Sequence, residues 1–437
     1  MAAPASDRNK RLAITGIGVI SSLGIGPEAM WKAAFRQKIQ LRKERIRVAA
    51  GVWRSYYFHK VSGFDPAADG LNGETLDALN SWKEGRVDED LLWAIAAARM
   101  AVGDSRLRYD PEDNDLSLFV THENPGLELF FDRTARESFR LLTKRRQRPR
   151  EAAFIDTLYQ RCSTDGYDAQ TFMYLYLIQK ALRVHGYTSY SCNACASGLY
   201  ALEAAAREIR SGGSSAAIII ASDHPRYIYK FRWFEQQGLL APDGLIKPFD
   251  AQRDGFTIGD GAAAIILEDW NQARVRKAPI YAEYLGGGFG AQGWKVIVPD
   301  LTSGVYARTM RLALKQAGLT PADIDLINPH GVGTSAGDAY EAKAIADVFG
   351  QPQRQPPVMA LKPYIGHTLG GCALMETVLV LMCMRHGQIL PTLNCRTADP
   401  ALRIHVTDRL TAKPLRYVMK TASGFAGFDA SIVLGSA

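Results

Sequence analysis

The chain has 437 residues, 47% of them hydrophobic and 22% charged, which is enough for a large core and more than one compact unit usually holds. Six irregularly spaced cysteines make no disulfide framework, no apolar run approaches the ~18 residues of a membrane span, and the start MAAPASDRNKRLAITGIG has no secretory pattern. A reduced, cytoplasmic protein of two domains, or of one domain in two halves, is expected. The net charge of +7 is concentrated in RKERIR (42–47) and KRRQRPR (144–150). These runs suit solvated surface or an acidic partner, and no zinc-finger, helix-turn-helix or aromatic–basic signature accompanies them to suggest nucleic acid.

In chain order, RLAITGIGVISSLG (11–24) predicts a buried strand and a Gly/Ser turn, and MWKAAFRQ begins a helix. Residues 41–80 carry weak periodicity. A helix is predicted over 88–103 and a strand in LSLFVTHENPG (116–126), then mostly helix over 127–186, strongly basic in the middle. AAIIIASD (216–223) reads as a strand, followed by a strand pair ending in AAAIILEDW (262–270).

NQARVRKAP (271–279) is polar and aperiodic and reads as the link between residues 1–270 and 271–437. The second part predicts a strand in IYAEYLGGG, a helix over 304–317, the strand IDLINPHG (324–331), a helix near 338–348, the strand PVMALK (357–362), a helix over 370–385 and the terminal GFAGFDASIVLG (424–435). Alternating strands and helices in both parts predict a layered α/β architecture with mainly parallel sheets.

Chemistry concentrates in SYSCNACASGLYALEAAAREIRSGG. Leu199, Leu202, Ala206 and Ile209 form one helical face, and Gly212 and Gly213 suit the stop. Cys195 thus lies at the helix N-terminus, where free N–H groups and the helix dipole favour a thiolate. Small neighbours leave room for a substrate, while Cys192 reads as packed on the strand side. A core thiol, half of a metal or disulfide site, and a nucleophile all remain open from this stretch. Three further segments add chemistry: NPHGVGTSAGDAYEAKAI places His330 in a Gly-rich loop before Asp338 and Glu341, ALKPYIGHTLGGCALMETV carries Lys362, His367 and Glu376, and SGFAGFDASIVL is a Gly-rich turn entering the last strand. Two histidines in strand-end loops with a lysine and a glutamate are the parts for thioester chemistry.

In their order, these segments and KPFDAQRDGFTIGDGAAAIILED resemble the motifs of the elongating β-ketoacyl-ACP synthases, condensing enzymes of the thiolase-like superfamily. The resemblance covers 11–35 and nearly all of 187–437. It implies an α/β thiolase-like fold, two similar halves forming a layered α-β-α-β-α core, and decarboxylative Claisen condensation of an acyl thioester with malonyl-ACP in fatty acid or polyketide synthesis. By the same resemblance Cys195 takes the acyl chain, His330 and His367 bind the malonyl carbonyl and its enolate, and Lys362 sits behind the second histidine, paired with Glu376. The N–H groups of Cys195 and Ser423 form the oxyanion hole, and Asp338 and Glu341 act as supports. Thr334, Leu369, Phe234 and Phe425 belong to the acyl pocket and pantetheine channel.

No metal or redox cofactor is implied, since substrates ride on the phosphopantetheine of an acidic acyl carrier protein docking on basic surface. A homodimer, or a heterodimer with a related ketosynthase subunit, is implied, with AAIIIA pairing across the twofold axis. The chain departs from the family pattern at Asp260 (usually Glu), Val332 (often Thr), Ser423 (usually a Phe gating the pocket) and Phe428–Asp429 (usually Thr-Asn), and over 115–195, which runs longer than the family's span. The alternative is a chain-length-factor-like partner subunit, whose usual mark is loss of the cysteine present here at 195. Initiating synthases and thiolases favour Cys-His-Asn or Cys-His-Cys sets.

Overall fold

The computed structural model describes residues 10–49, 52–82, 88–123, 127–143, 151–224 and 228–437. The basic run at 144–150 lies outside the described residues. The first half holds β1 (Leu12–Ser21), α1 (Pro27–Phe35), β2 (Leu41–Ala49), β3 (Val52–His59), α2 (Gly73–Trp82), α3 (Glu89–Ser105) and β4 (Ser117–Thr121). It continues through α4 (Leu127–Thr143), α5 (Glu151–Asp168), α6 (Thr171–Leu182), β5 (Thr188–Ser191), α7 (Ser197–Ser211), β6 (Ala216–Asp223), α8 (Ile228–Gln236) and β7 (Gly261–Asp269). After α9 (Trp270–Val275) come β8 (Ala282–Ala291), α10 (Val305–Ala317), β9 (Leu326–Asn328), α11 (Ser335–Phe349), α12 (Lys362–Ile365), α13 (Cys372–His386), β10 (Tyr417–Ser423) and β11 (Phe428–Ser436). The segment read as a polar link is thus partly helical, because the Asp269 carboxylate caps α9 by accepting the Gln272 N–H at 2.9 Å.

The strands run in the order β9-β10-β11-β8-β1-β7-β6-β4-β5, and the two halves meet where β1 pairs with β8 through Ala13–Glu283 and Ile14–Ala282. The expectation of mainly parallel sheets is corrected. Within this sheet the parallel pairs are β4–β5, β4–β6 and β9–β10, while β1–β7, β6–β7, β8–β11 and β10–β11 are antiparallel. In each half the last strand, β7 or β11, inserts antiparallel beside the first, β1 or β8. Periodicity in a sequence reports burial, not strand direction.

Helix α3 lies on the outer face of β1, β7 and β6, and α10 on that of β8 and β11, with α11 against α10. Between the halves, α7 touches β4, β6, β8 and β11, while α13 touches β1, β6, β7 and β10. This is the α-β-α-β-α layering the resemblance implies. Small residues permit the close layers: a Cβ on Gly18 would lie 2.0 Å from the Ala97 oxygen, and Ala94, Ala97, Ala98 and Ala101 of α3 are fully buried. Every α13 residue from Cys372 to Cys383 is buried, so its apolar all-round sequence is that of a central helix. The stretch Leu369–His386 is long and apolar enough to cross a membrane, but 89% of it is buried inside the fold.

Residues 41–59, where no element was expected, form a β2–β3 hairpin that joins the body through Phe58 and His59 beside Ile258 and Gly259. The strand 216–223 cannot pair across a twofold axis, because β4 and β7 occupy both its edges. The outer strand of this half is β5, which pairs on one side with β4.

Candidate functional site

Cys195 sits between β5 and α7 on a tight bend. Ala194 adopts φ of +49°, and the Ser197 hydroxyl locks the bend by accepting the Asn193 N–H at 2.7 Å and donating to the Ala194 carbonyl at 2.6 Å. Leu369, two residues beyond His367, and Ala426, next to Phe425, also have positive φ, at 44° and 60°. Such non-glycine conformations cost about 1–3 kcal/mol each, and here they cluster in the loops that build one cavity.

That cavity, about 260 Å³, is lined by Cys195, His330, His367, Val332, Thr334, Ser423 and Phe425 among others. The Cys195 sulfur and a ring nitrogen of each histidine lie within 4.8 Å of one another, and all three residues are buried. The imidazoles are edge to face, with centroids 5.4 Å apart, and Phe256 backs His367 at 5.1 Å.

Electrostatics set the protonation states. Burial pushes the Cys195 thiol well above its ordinary value, aided by Cys372 and Glu123; Lys362 and the Phe425 N–H act the other way but are outweighed. The helix N-terminus therefore does not yield a resting thiolate, contrary to the sequence expectation, because desolvation dominates. Burial also drives His330 well below 6.5, reinforced by Lys362, His367 and Lys420, and His367 likewise, reinforced by Lys362 and Lys420. Both imidazoles are neutral. The Lys362 ammonium lies 3.2 Å from Nδ1 of His330, which leaves that atom as acceptor and Nε2 as the N–H donor.

Lys362 thus sits behind the first histidine, not the second, and it also donates to the His330 carbonyl at 2.6 Å. Its partner Glu376 accepts at 2.8 Å, and burial's cost to this ammonium is offset by that carboxylate, so Lys362 is held above its ordinary value. Lys420, which sequence reading did not single out, binds the other Glu376 oxygen at 2.5 Å. A lysine in the otherwise apolar and small strand YVMKTAS was the available signal. Glu341 accepts the N–H groups of His330 and Gly331 at 2.7 Å each, and hydroxyls of Tyr306 and Thr421 at 2.6 and 2.8 Å. Asp338 accepts from Phe249 and Gly333, and burial raises it to about 7. Both are supports for the histidine loop.

Ser423 and Phe425 both line the cavity with Cys195, and the Phe425 N–H acts to lower the thiol. Ser423 ends β10 opposite Asp429, and its hydroxyl donates to that carboxylate at 2.8 Å. Phe425, two residues along from Ser423, places a phenylalanine in the same cavity as the thiol. Gly424 lets this turn approach, since a Cβ there would lie 3.1 Å from the Cys195 nitrogen. Phe425 packs with Trp233 and Phe234, at 5.8 and 6.2 Å between centroids, in the apolar cluster that also holds Leu369 and Val332. Thr334 caps α11 by accepting the Gly337 N–H. Cys192 is exposed, not packed.

Cys195, His330 and His367 offer ligand atoms within 4.8 Å of one another, and the Lys362 ammonium occupies the His330 Nδ1 side. The trio reads as a nucleophile facing two neutral imidazoles, of which His330 has its N–H on Nε2.

Family sequence profiles described as "Beta-ketoacyl synthase, N-terminal domain" and "Beta-ketoacyl synthase, C-terminal domain" match residues 143–273 and 281–396, together more than half of the chain. The chain is 30% identical to a Streptomyces cyaneus protein named as polyketide beta-ketoacyl synthase 1, over 97% of this chain and 98% of that one. It is 27% identical to 3-oxoacyl-[acyl-carrier-protein] synthase 2 of Rhizobium meliloti, over 97% and 98%. Among solved structures it is similar to the ishigamide ketosynthase/chain length factor, with TM-score 0.80 and 27% identity over 98% of this chain and 99% of that one.

Proposed function

Because the chain belongs to the β-ketoacyl synthase family and is a condensing acyltransferase, we propose that Cys195, His330 and His367 carry its decarboxylative condensation. The observation that carries this reading is the convergence of the three side chains in one cavity, with Phe425 beside them. In the first half-reaction the Cys195 thiol loses its proton and the sulfur attacks the carbonyl of an acyl thioester. The oxyanion is held by the N–H groups of Cys195 and Phe425, and the carrier thiol leaves with a proton. In the second, a malonyl thioester binds with its carbonyl oxygen between the two imidazoles. The bond to the carboxylate breaks, carbon dioxide leaves, and its electron pair forms the enolate. That carbon attacks the acyl-enzyme, a carbon–carbon bond forms, and the Cys195 sulfur departs.

Thr334 lies on the pantetheine side of the cavity, and Leu369 and Phe234 back Phe425 on the acyl side. The substrates arrive on the phosphopantetheine of an acidic acyl carrier protein, and no metal or redox group takes part. The carrier docks on exposed basic residues, for which Lys295 at the cavity and Arg42, Lys43 and Arg45 on the β2–β3 hairpin are candidates. The protein works in the cytoplasm, as a homodimer or with a related ketosynthase subunit, its two halves dividing near residue 270. The test is carbon dioxide release from malonyl carrier. His330→Ala and His367→Ala are expected to retain acylation of Cys195 and lose decarboxylation; release at the wild-type rate removes that histidine from the mechanism.

A further inference from the structure

A buried lysine is costly unless its charge and its three N–H donors are satisfied. Lys420 is fully buried and uses all three: Glu376 Oε2 at 2.5 Å, the Thr421 carbonyl at 2.8 Å and the Pro329 carbonyl at 3.4 Å. Lys362 makes the matching set one residue along, with Glu376 Oε1 at 2.8 Å and the His330 carbonyl at 2.6 Å. Two ammonium groups therefore hold successive carbonyls of the chain that carries His330, and one carboxylate bridges them.

We propose that Lys420 is a positioning residue for the decarboxylation step, fixing the 329–330 backbone through the Lys362–Glu376–Lys420 bridge and placing a second ammonium on the carboxylate that holds Lys362. This rests on the roles given above to His330 and His367. Among the described residues, the charged and titratable groups around the site include Cys195 at the start of α7, Glu341 on α11, Lys362 on α12, Cys372 and Glu376 on α13, Lys420 on β10 and Glu123 beyond β4. Glu376 bridges two buried ammonium groups; burial, the largest influence, and Lys362 lower Lys420 from its ordinary value while the Glu376 carboxylate opposes this, and with both protons kept the bridge carries more positive than negative charge. That charge opposes a proton on either ring, and Lys420 contributes to the downward displacement of both histidines. A neutral His330 keeps Nδ1 as acceptor for Lys362 and Nε2–H turned to the substrate; a proton on Nδ1 would break that contact.

The test compares wild type, Lys420→Met and Lys420→Arg in carbon dioxide release from malonyl carrier across acid and neutral pH, with Cys195 acylation followed by intact mass. Removing the cation lets the imidazoles protonate at higher pH. Lys420→Met should therefore move the acid limb up by about one pH unit and lower the plateau roughly tenfold. Its acylation should stay within about twofold, because Lys420 touches neither the thiol nor its oxyanion donors. Lys420→Arg should keep the wild-type limb. A Lys420→Met profile superimposed on wild type overturns the proposal, as does an equal shift in Lys420→Arg. If Lys420→Met does not fold, a titration of 13C-labelled histidines in Lys420→Gln beside wild type decides: His330 and His367 titrating higher in Lys420→Gln support the proposal, and identical titrations overturn it. A wild-type protein that is acylated at Cys195 yet releases no carbon dioxide would instead overturn the condensing roles of the histidines, and this inference with them.

Discussion

Burial holds the Cys195 thiol above its ordinary value, and this has a measurable consequence. Only the thiolate is alkylated. With the thiol pushed well above 9, its ionised fraction keeps rising through neutral and mildly alkaline pH. Alkylation by iodoacetamide should thus increase about tenfold per pH unit with no plateau below about pH 9. A plateau near neutral pH would mean that the helix N-terminus outweighs burial. The same competition explains what the sequence could reveal at this scale. The Cys, His, His, Lys and Glu were legible because each lies in a short Gly-rich motif. The protonation states were not, because they depend on residues brought together by folding, such as Lys420 and Phe425. That Phe425 as well as Ser423 lines the cavity was not legible either, because the turn that brings it there is set by folding and is invisible in the string SGFAGF.

Helix α7 carries the nucleophile against α13, and the two meet closely at Gly198. A Cβ there would lie 2.9 Å from both the Leu374 nitrogen and its Cβ. Gly198→Ala should therefore cost about 1–3 kcal/mol in urea unfolding and displace Cys195 enough to slow acylation. Unchanged stability together with unchanged acylation would show that the α7–α13 contact yields freely. Long, strongly patterned elements such as α3, α7, α10 and α13 were legible from their apolar faces or their unbroken apolar runs. The β2–β3 hairpin was not, since its exposed charged side chains (Arg42, Lys43, Arg45, Arg54) give no apolar alternation along β2. Strand direction was lost as well: β7 and β11 are apolar because they are interior strands, whichever way they run.

For the whole molecule, the sheet of the first half ends at β5, four residues of intermediate burial leading directly into the Cys195 bend. An outer strand with an unfilled edge invites pairing with a second chain. The expected assembly joins two such edges, so that the strand before each nucleophile is held by its partner. Tyr190→Pro removes an N–H from this strand and should weaken both dimerisation and acylation. Sedimentation at micromolar concentration should give twice the 48.0 kDa chain mass for wild type; a wild-type monomer with full activity would contradict this arrangement.

The central claim is that Cys195 forms an acyl thioester that condenses with a malonyl unit. Intact-mass analysis of the protein incubated with acyl-carrier thioesters tests it most directly. The expected result is a mass gain of one acyl group that survives denaturation, is absent in Cys195→Ala, and is discharged when malonyl carrier is added. No gain with any acyl carrier, or a gain that persists in Cys195→Ala, would contradict it.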